Sequence, residues 1–277
     1  MSRAVEANPY APHVALLSGV IDETPTIKTF CFDLKEPLEF RAGQFVQLGI
    51  PGAGEAPFTP SSSPLDPQHL QVTVLRTGRL TDALHRMARG EACLLRGPYG
   101  KGYPIDKLDG KEILIVGGGV GLAPLRALIY RLLAMTDRVK KIVIKNGARA
   151  GGELLFRREY EKWAAVDKVS FEPTIDRPEP GWTGHVGVVT TLLDRIGSQV
   201  DIHDAYVFSC GPEIMLKFVT QKLLQEGFTP EQIYLSMNRR MSCGIGKCGR
   251  CNVGPYYLCK DGPDMCYAKI KDYPDVF

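Results

Sequence analysis

The segment ILIVGGGVGLAPLRAL, residues 113–128, specifies the architecture of the middle part of this 277-residue chain. It begins with an apolar run that predicts a buried parallel strand over Glu112–Val116. A glycine cluster follows, and leucines at helical spacing then predict a helix with one apolar face. Two later apolar runs, Lys141–Lys145 and Ala205–Ser209, predict further strands, and Glu213–Glu226 predicts an amphipathic helix. Strands that alternate with helices predict a parallel α/β sheet.

A different pattern precedes this sheet. Short apolar or alternating runs at Ile27–Leu34, Gln44–Ile50 and Leu70–Leu75 are separated by Gly and Pro. Regularly spaced short strands of this kind indicate a small antiparallel barrel or sandwich.

The end of the chain is rich in Cys and Gly and shows little periodicity. A tail of this kind, from about Met237, cannot build a core of its own and is expected to need a staple. We therefore predict an α+β, multi-domain protein. An antiparallel β-barrel over residues 1–107 precedes a parallel α/β domain over 108–236 and a small Cys-rich tail over 237–277.

Composition excludes several classes of protein. Apolar residues make up 44% of the chain and charged residues 23%, which excludes disordered, collagen-like and coiled-coil proteins. A net charge of +3 argues for neither nucleic acid nor an anionic membrane surface as a partner. Residues 1–17 lack the features of a secretory signal, and glycines and arginines interrupt the most apolar window, Ile113–Met135. A cytoplasmic protein without membrane insertion is expected.

Four cysteines near the end of the chain are candidate metal ligands. The segment CGIGKCGRCNVGPYYLC spaces them as C-x4-C-x2-C-x7-C, and the first three match the run found in plant-type [2Fe–2S] proteins. The predicted ligands are Cys243, Cys248, Cys251 and Cys259. Structural zinc is the alternative, although zinc sites usually present pairs of cysteines. Cys266 is interpreted as a bystander that could replace the fourth ligand.

The glycine cluster is a candidate dinucleotide site. Glycines between a strand and a helix let a ligand approach the backbone, and the helix N-terminus favours a phosphate. The candidate residues are Gly117, Gly118, Gly119, Val120 and Gly121. The motif differs from the standard G-x-G-x-x-G fingerprint, so a plain tight turn stays open as the alternative.

Basic residues, rather than an acidic one, follow the second strand of the sheet. We expect Asn146 and Arg149, with Lys145 before them, to face the nucleotide ribose, which weakly favours NADP(H) over NAD(H). Solvated surface charges are the alternative interpretation. Cys210, Gly211 and Pro212 follow another strand and are predicted to contact the nicotinamide, unless the cysteine is only a buried thiol.

Three motifs together resemble the ferredoxin–NADP reductase superfamily: GGGVGLAPL at 117–125, SCGP at 209–212 and RRMSCGIGKCGRC at 239–251. The iron–sulfur branch is the most similar. It includes the electron-transfer subunit of dihydroorotate dehydrogenase, the small subunit of NADH-dependent ferredoxin:NADP oxidoreductase, one of the subunits of anaerobic sulfite reductase and the gamma subunit of sulfhydrogenases. The RRM and CKDGP segments on either side of the cysteines look most like the sulfhydrogenase gamma subunits.

The resemblance implies FAD in the barrel. The family's Arg-x-aromatic-Ser/Thr motif corresponds to APFTPSSSP, where Ala56 replaces the arginine. A second flavin segment corresponds to VLRTGRLTDAL at 74–84, and its threonine is equally consistent with a plain helix cap. A segment beside the nicotinamide corresponds to Asp176 and the GWTGHVGVVT that follows. The implied flavin residues are Pro57, Phe58, Thr59, Leu75, Arg76, Thr77, Gly78, Leu80 and Thr81.

These features predict an electron-transfer subunit. NAD(P)H delivers two electrons as a hydride and a [2Fe–2S] cluster takes one at a time, so a flavin is expected between them. No catalytic side chain is required. A cluster near the surface implies partner redox subunits, most closely the iron–sulfur and hydrogenase subunits of a [NiFe] sulfhydrogenase. The alternatives are a subunit of another oxidoreductase, a plain flavin reductase with a zinc tail, and a redox-sensing subunit that transfers no electrons.

Overall fold

The computed structural model describes residues 8, 10–274 and 276–277, so residues 1–7 and 9 of the predicted first domain and residue 275 of the predicted tail lie outside the description. Six antiparallel strands and one helix form the N-terminal part. In chain order they are β1 (His13–Thr24), β2 (Ile27–Leu34), β3 (Phe45–Ile50), β4 (Gly54–Phe58), β5 (His69–Leu75), α1 (Arg79–Arg86) and β6 (Ala92–Tyr99). The sheet order is β4-β3-β6-β1-β2-β5.

The two edge strands of this sheet meet. An isolated bridge joins Pro60, just after β4, to Val72 on β5, and Ser61 N–H donates to the Gln71 carbonyl. This contact closes the sheet towards the predicted antiparallel barrel. Alternate residues of β2, Phe30 and Phe32, point inward and are only 1% exposed.

The second sheet is mainly parallel, as predicted. Its strands are β7 (Glu112–Gly118), β8 (Lys141–Ala148), β9 (Val169–Ile175), β10 (His185–Val186), β11 (Ala205–Cys210), β12 (Ile233–Ser236) and, beyond a short hairpin, β15 (Asp264–Cys266). The hairpin pairs β13 (Asn252–Val253) with β14 (Tyr256–Tyr257), and the helices are α2 (Leu122–Leu133), α3 (Tyr160–Ala164), α4 (Glu213–Gln225), α5 (Leu258–Asp261) and α6 (Tyr267–Ile270). The sheet order is β10-β9-β8-β7-β11-β12-β15, and only the pairing of β12 with β15 is antiparallel.

Both faces of the second sheet are covered, which explains the continuous apolar runs of its strands. Ile113 and Ile115 belong to the same buried cluster as residues of α2, whereas Leu114 and Val116 belong to the cluster that includes α4. The strands also run further than predicted, because β7 extends through Gly118 and β8 through Ala148. Among the described helices, none has both the length and the apolar character needed to cross a bilayer.

The Cys-rich tail packs against the parallel sheet and shares its core. Its residues Met237, Val253, Leu258 and Ile270 are at most 5% exposed and share one core with the parallel sheet. Strand β15 adds to the edge of that sheet beside β12. The tail therefore builds no separate core, as expected from the sequence, and burial against the sheet contributes to its stability.

Polar contacts connect the two large sheets. Arg126 of α2 donates to the Ser61 carbonyl at 3.1 Å and to Gln71 Oε1 at 2.8 Å, both on the barrel side. Arg158 forms a two-pronged ion pair with Glu23 of β1, at 2.7 and 2.8 Å. These contacts attach three parts of the barrel, namely β1, β5 and the loop after β4, to the parallel-sheet part.

Candidate functional site

Three of the predicted cysteine ligands, Cys243, Cys248 and Cys251, lie in one loop, and the fourth, Cys259, lies on α5 beside it; backbone N–H groups of the loop point at sulfur. Gly246 N–H donates to Cys259 Sγ at 3.0 Å, and Lys247 N–H donates to Cys243 Sγ at 3.3 Å. Three glycines make this curl possible, because their φ angles lie in the left-handed region that other residues rarely adopt. They are Gly244, Gly246 and Gly249, with φ of 78°, 74° and 75°.

The same loop perturbs the thiols. Burial would raise the pKa of Cys243, but hydrogen bonds from three backbone N–H groups and the Cys248 thiol lower it to about 6. Burial and the neighbouring Cys251 thiol raise the pKa of Cys259 to about 12. Cys243 also acts on the Cys259 thiol, so the perturbed thiols belong to one group. Within the described residues, no three His, Cys, Asp or Glu side chains surround a single point as ligands of one metal ion would.

This donor set fits an iron–sulfur cluster. Thiolates are the ligands that such clusters use, and N–H groups aimed at sulfur stabilise the charge on cluster ligands. Cys251 and Cys259 are 1% and 2% exposed, whereas Cys248 is exposed at the rim. Cys266 does not join the group, because its thiol faces the carbonyl oxygens of Pro230 and Glu231.

The cysteine loop rests on the barrel, a contact that sequence reasoning missed. Arg96 of β6 is 7% exposed and pairs with Glu55 of β4 at 2.6 Å. Its guanidinium group also reaches the carbonyl oxygens of Ser242 and Cys243, each at 3.4 Å. The loop is therefore held directly beside β4, the strand that carries the first predicted flavin residues. A single arginine in a barrel strand offers no sequence signal for such a contact.

The predicted flavin residues fall into two groups on one side of the barrel. Pro57, Phe58 and Thr59 are half-buried at the end of β4, where an aromatic ring and a hydroxyl are accessible to a ligand. The second group surrounds the start of α1, and Arg76, Thr77 and Gly78 in it are exposed while Leu75 is half-buried. Leu80 is only 9% exposed and packs in the barrel core, so its side chain is not available to a cofactor.

The hydroxyl of Thr81 caps the turn before α1. It accepts hydrogen bonds from the N–H groups of Thr77 and Gly78, at 2.8 and 2.9 Å. Thr81 is therefore not the N-cap considered from the sequence: Gly78 is the N-cap, and Thr81, the third residue of α1, bonds back to it. Arg76 is held beside this turn by an ion pair with Asp82 at 2.7 Å.

The glycine cluster lies at the carboxyl edge of the parallel sheet, next to the end of β11. A Cβ atom on Gly121 would lie 2.2 Å from the Cys210 carbonyl oxygen, so close backbone packing requires this glycine. Gly119 has φ of 54° and nothing within 4 Å of its Cβ position, which leaves its backbone open to a ligand. The turn thus serves packing and ligand access at different glycines.

One polar atom beside this turn has no partner. Asn146 is 1% exposed, and its Oδ1 atom, which lies 2.9 Å from the Cβ position of Gly117, accepts no hydrogen bond. An orphaned acceptor beside a glycine turn fits a bound dinucleotide that supplies a donor. Asn146 lies inside β8 and not beyond it, because the strand is longer than the sequence indicated.

The expectation for Lys145 is wrong. Its side chain is 2% exposed and is bound to Glu172 and to Gln199 Oε1, so it cannot reach a ribose phosphate. The strand alternates sides, which places this lysine beneath the sheet. Arg149 is exposed just after β8 and is the remaining basic candidate of this group. Asp176 is also exposed at this edge, with β8 and β7 between its strand and β11.

Cys210, Gly211 and Pro212 join the end of β11 to α4, opposite the glycine cluster. In the sheet register Cys210 pairs with Gly117. Burial raises the pKa of the Cys210 thiol to about 12, so the thiol stays protonated at neutral pH. The residue therefore offers a neutral, weakly polar wall to the edge where ligands bind in open α/β sheets.

Comparisons with known proteins agree with this arrangement. Three family models match in succession: the oxidoreductase FAD-binding domain over residues 16–103, the oxidoreductase NAD-binding domain over 115–221, and the iron–sulfur cluster binding domain of dihydroorotate dehydrogenase B over 238–271. The chain is 39% identical to sulfhydrogenase 1 subunit gamma of Pyrococcus furiosus, over 97% of this chain and 95% of that protein.

Two further similarities extend this result. A probable electron transfer subunit of dihydroorotate dehydrogenase B (NAD(+)) from Pyrococcus furiosus is 36% identical over 84% of this chain and 82% of its own. A solved structure of an NADH-dependent reduced ferredoxin–NADP oxidoreductase superposes with a TM-score of 0.74 at 25% identity, covering 93% of this chain and 91% of that one. The chain therefore belongs to the iron–sulfur branch of the ferredoxin–NADP reductase superfamily, a family of NAD(P)H-dependent flavin oxidoreductases that includes sulfhydrogenase gamma and dihydroorotate dehydrogenase electron-transfer subunits.

Proposed function

We propose that this chain transfers electrons between NAD(P)H, FAD and a [2Fe–2S] cluster, and exchanges them with a partner redox subunit. The observation that carries the proposal is the contact between the cysteine loop and the barrel. Arg96 joins the carbonyl groups of Ser242 and Cys243 to Glu55 of β4. The predicted cluster ligands and the predicted flavin strand are thereby adjacent.

The residues of the chain bind and orient the cofactors. When bound, the flavin supplies the conversion between two-electron hydride transfer and one-electron transfer. Phe58 and Thr59 offer it a ring contact and a hydroxyl, and the first turn of α1 offers backbone N–H groups. The turn at Gly119 and the end of β11 at Cys210 face one edge of the sheet, where they would hold the nucleotide. The proposed electron transfer requires no side chain that transfers a proton.

The first experiment tests the cluster. Iron and acid-labile sulfide are measured in anaerobically purified protein and in the variants Cys248→Ser and Cys266→Ser. Cys248 belongs to the loop whose N–H groups face sulfur, whereas the Cys266 thiol faces away from it. We expect the first variant to lose the cluster and the second to keep it. Zinc in place of iron in the wild-type protein would contradict the proposal and favour a plain flavin reductase.

The second experiment tests the connection between the sites. Low-temperature electron paramagnetic resonance after addition of NADPH, or of NADH, is expected to show a reduced [2Fe–2S] signal without another reductant. The exposed Arg149 is the residue that favours NADPH over NADH. Arg149→Ala should therefore raise the KM for NADPH and leave that for NADH unchanged. An equal change for both nucleotides would contradict this role.

The partner is proposed to be a [NiFe] hydrogenase with its iron–sulfur subunit, because a relative 39% identical over nearly the whole chain is a sulfhydrogenase subunit. A dihydroorotate dehydrogenase is the second candidate, favoured by the family model matched over residues 238–271. Hydrogen-dependent reduction of nucleotide by the reconstituted complex supports the first, and dihydroorotate-dependent reduction supports the second. Both reactions use cellular nucleotide pools, so the proposal includes a cytoplasmic location.

The surface around the exposed Cys248 is basic and would face the partner. Residues 238–250 contain four Lys or Arg and no Asp or Glu. Arg240, Lys247 and Arg250 among them are exposed. We expect an acidic partner surface, because complementary charge accelerates association. Lys247→Glu combined with Arg250→Glu should slow electron delivery at low salt, with Lys269→Glu on α6 as the control. Identical rates in both variants would contradict this orientation.

A further inference from the structure

A buried carboxyl group without a partner lies where the three parts of the protein meet. Asp264 is the first residue of β15 and pairs in register with Ser236 at the end of β12. It is 7% exposed, and neither carboxylate oxygen has a partner in hydrogen-bond geometry. Buried polar groups are nearly always paired, so this exception requires an explanation.

The neighbours of Asp264 come from both sheets. On the barrel side, a Cβ atom on Gly43 would lie 2.2 Å from Asp264 Oδ2, and the ring of Tyr103 packs against the same glycine. On the side of the parallel sheet, the Ser236 hydroxyl and the Cys210 thiol lie close to the carboxyl group. The carboxyl group is therefore shared by the barrel, the parallel sheet and the tail.

No cation among the described residues compensates a charge at this position. The titratable groups that face the carboxyl group are Tyr103 from the loop after β6 and Cys210 from β11, and both are neutral acids at physiological pH. Lys101, the nearest lysine in the chain to Tyr103, pairs with Asp261 instead. Ionisation of Asp264 would therefore leave an uncompensated charge in an apolar junction, which is strongly unfavourable.

We propose that Asp264 is a positioning residue that joins the three parts of the protein while it carries a proton, and that loss of this proton loosens the junction at Cys210 and Tyr103. A protonated carboxyl group can donate one hydrogen bond and fits the apolar site as a neutral side chain. An ionised group attracts water, and the junction must open to admit it. Because the Cys210 carbonyl packs on Gly121, this opening also reaches the candidate nucleotide turn.

The direction of the pH dependence follows from linkage. Burial raises the pKa of Asp264 to about 7, partly offset by the hydroxyl groups of Ser236 and Tyr103. The folded protein therefore binds more protons than the unfolded chain between about pH 4 and 7. The stability contributed by the proton is fully present below about pH 4 and is lost as the pH rises through 7. Across this range the unfolding equilibrium constant increases up to tenfold per pH unit.

The test compares the full-length wild type with Asp264→Asn, which imitates the neutral acid. Urea unfolding is measured from pH 5 to 8.5. Hydrogen exchange of the peptides that contain Cys210 and Tyr103 is measured at the same pH values. Asp272→Asn is the control, because Asp272 is an exposed carboxylate of the same tail.

We expect the wild type and Asp272→Asn to lose stability as the pH rises from 5 to about 7, and to show no further loss above that. After correction for the intrinsic rise of amide exchange with pH, both proteins should exchange faster at the two peptides at pH 8 than at pH 5. Asp264→Asn should lack both changes. The proposal is overturned if Asp264→Asn keeps the wild-type pH dependence of unfolding. It is also overturned if the pH dependence of exchange at the two peptides is the same in the wild type and in Asp264→Asn. Neither measurement requires bound nucleotide, so the result is independent of the proposed function.

A spectroscopic measurement covers the case in which Asp264→Asn fails to fold. The infrared band of a protonated carboxylic acid should be present in the wild type at pH 5.5 and absent at pH 8.5. A buried acid that titrates in this interval matches Asp264, whose carboxyl oxygens are shielded from solvent. Absence of the band at pH 5.5 would overturn the proposal without any variant.

Discussion

The buried ion pair between Arg126 and Glu159 should decide how firmly the barrel is attached to the parallel sheet. The guanidinium Nη2 atom lies 2.5 Å from Glu159 Oε1, and the two side chains are 5% and 9% exposed. The same guanidinium group donates to the Ser61 carbonyl at 3.1 Å and to Gln71 Oε1 at 2.8 Å. One side chain of the nucleotide domain thus satisfies three acceptors, two of which belong to the barrel.

The substitution Arg126→Met keeps much of the apolar volume and removes the charge. Glu159 would then retain the Tyr130 hydroxyl at 2.6 Å and Arg158 at 3.8 Å as its partners. Breaking a buried pair by removing one partner costs about 3–5 kcal/mol. The residual contacts of Glu159 favour the lower end, so we expect the free energy of unfolding to fall by about 3 kcal/mol. The double variant Arg126→Met/Glu159→Leu should recover most of this loss, because it leaves no uncompensated charge.

Urea unfolding followed by the fluorescence of Trp163, which is 2% exposed, measures this change. With a slope of about 1–3 kcal/mol per molar urea, the midpoint should fall by roughly 1–3 M. Dissociation of the flavin should also become faster, because Ser61 follows the predicted flavin residue Thr59 by two positions. A loss below about 1 kcal/mol in the single variant would refute this reasoning. A double variant less stable than the single one would refute it as well.

Two further predictions concern the glycine turn and acid stability. Gly121→Ala should abolish nucleotide binding and lower the Tm, because its Cβ would lie 2.2 Å from the Cys210 carbonyl oxygen. The Cβ atom of Gly119→Ala meets no atom within 4 Å, so this variant should lose only about 1–2 kcal/mol of stability, through backbone strain. Equal losses of stability in the two variants by thermal unfolding would contradict the packing argument. Burial raises the pKa of Glu23, but the ion pair with Arg158 and further hydrogen bonds lower it more. The net result is a pKa below the ordinary value of 4.5. The stability from this group is present above about pH 4.5 and is lost as the pH falls through the lowered pKa. The free energy of unfolding of Glu23→Gln, measured between pH 3 and 7, should therefore fall less steeply with acid than that of the wild type. The same pH profile in both proteins would exclude this contribution of Glu23.

Local patterns in the sequence were sufficient for the elements and the cofactor motifs. The apolar run before the glycine cluster predicts β7, and the leucines after it predict α2, because periodicity depends only on neighbouring residues. The C-x4-C-x2-C spacing likewise places three thiols within one loop. The parallel sheet, the antiparallel barrel and the order of the three parts all follow from such short-range signals.

Contacts between distant segments were beyond the reach of those signals. Lys145 looks like a phosphate ligand in the sequence, yet strand alternation and the neighbouring Glu172 bury it beneath the sheet. Arg96 belongs to no motif, yet it holds the cysteine loop against the barrel across 147 positions of sequence.

The cofactor motifs are visible in short segments of the chain, whereas the contacts that join them exist only after folding. The tail shows little periodicity, so its strand β15 becomes visible only when it pairs with β12 at the edge of the sheet. That pairing brings Asp264 between Tyr103 and Cys210, residues that come from segments more than 50 positions away. The charge, burial and pKa of a side chain depend on such neighbours, and the folded chain alone assembles them.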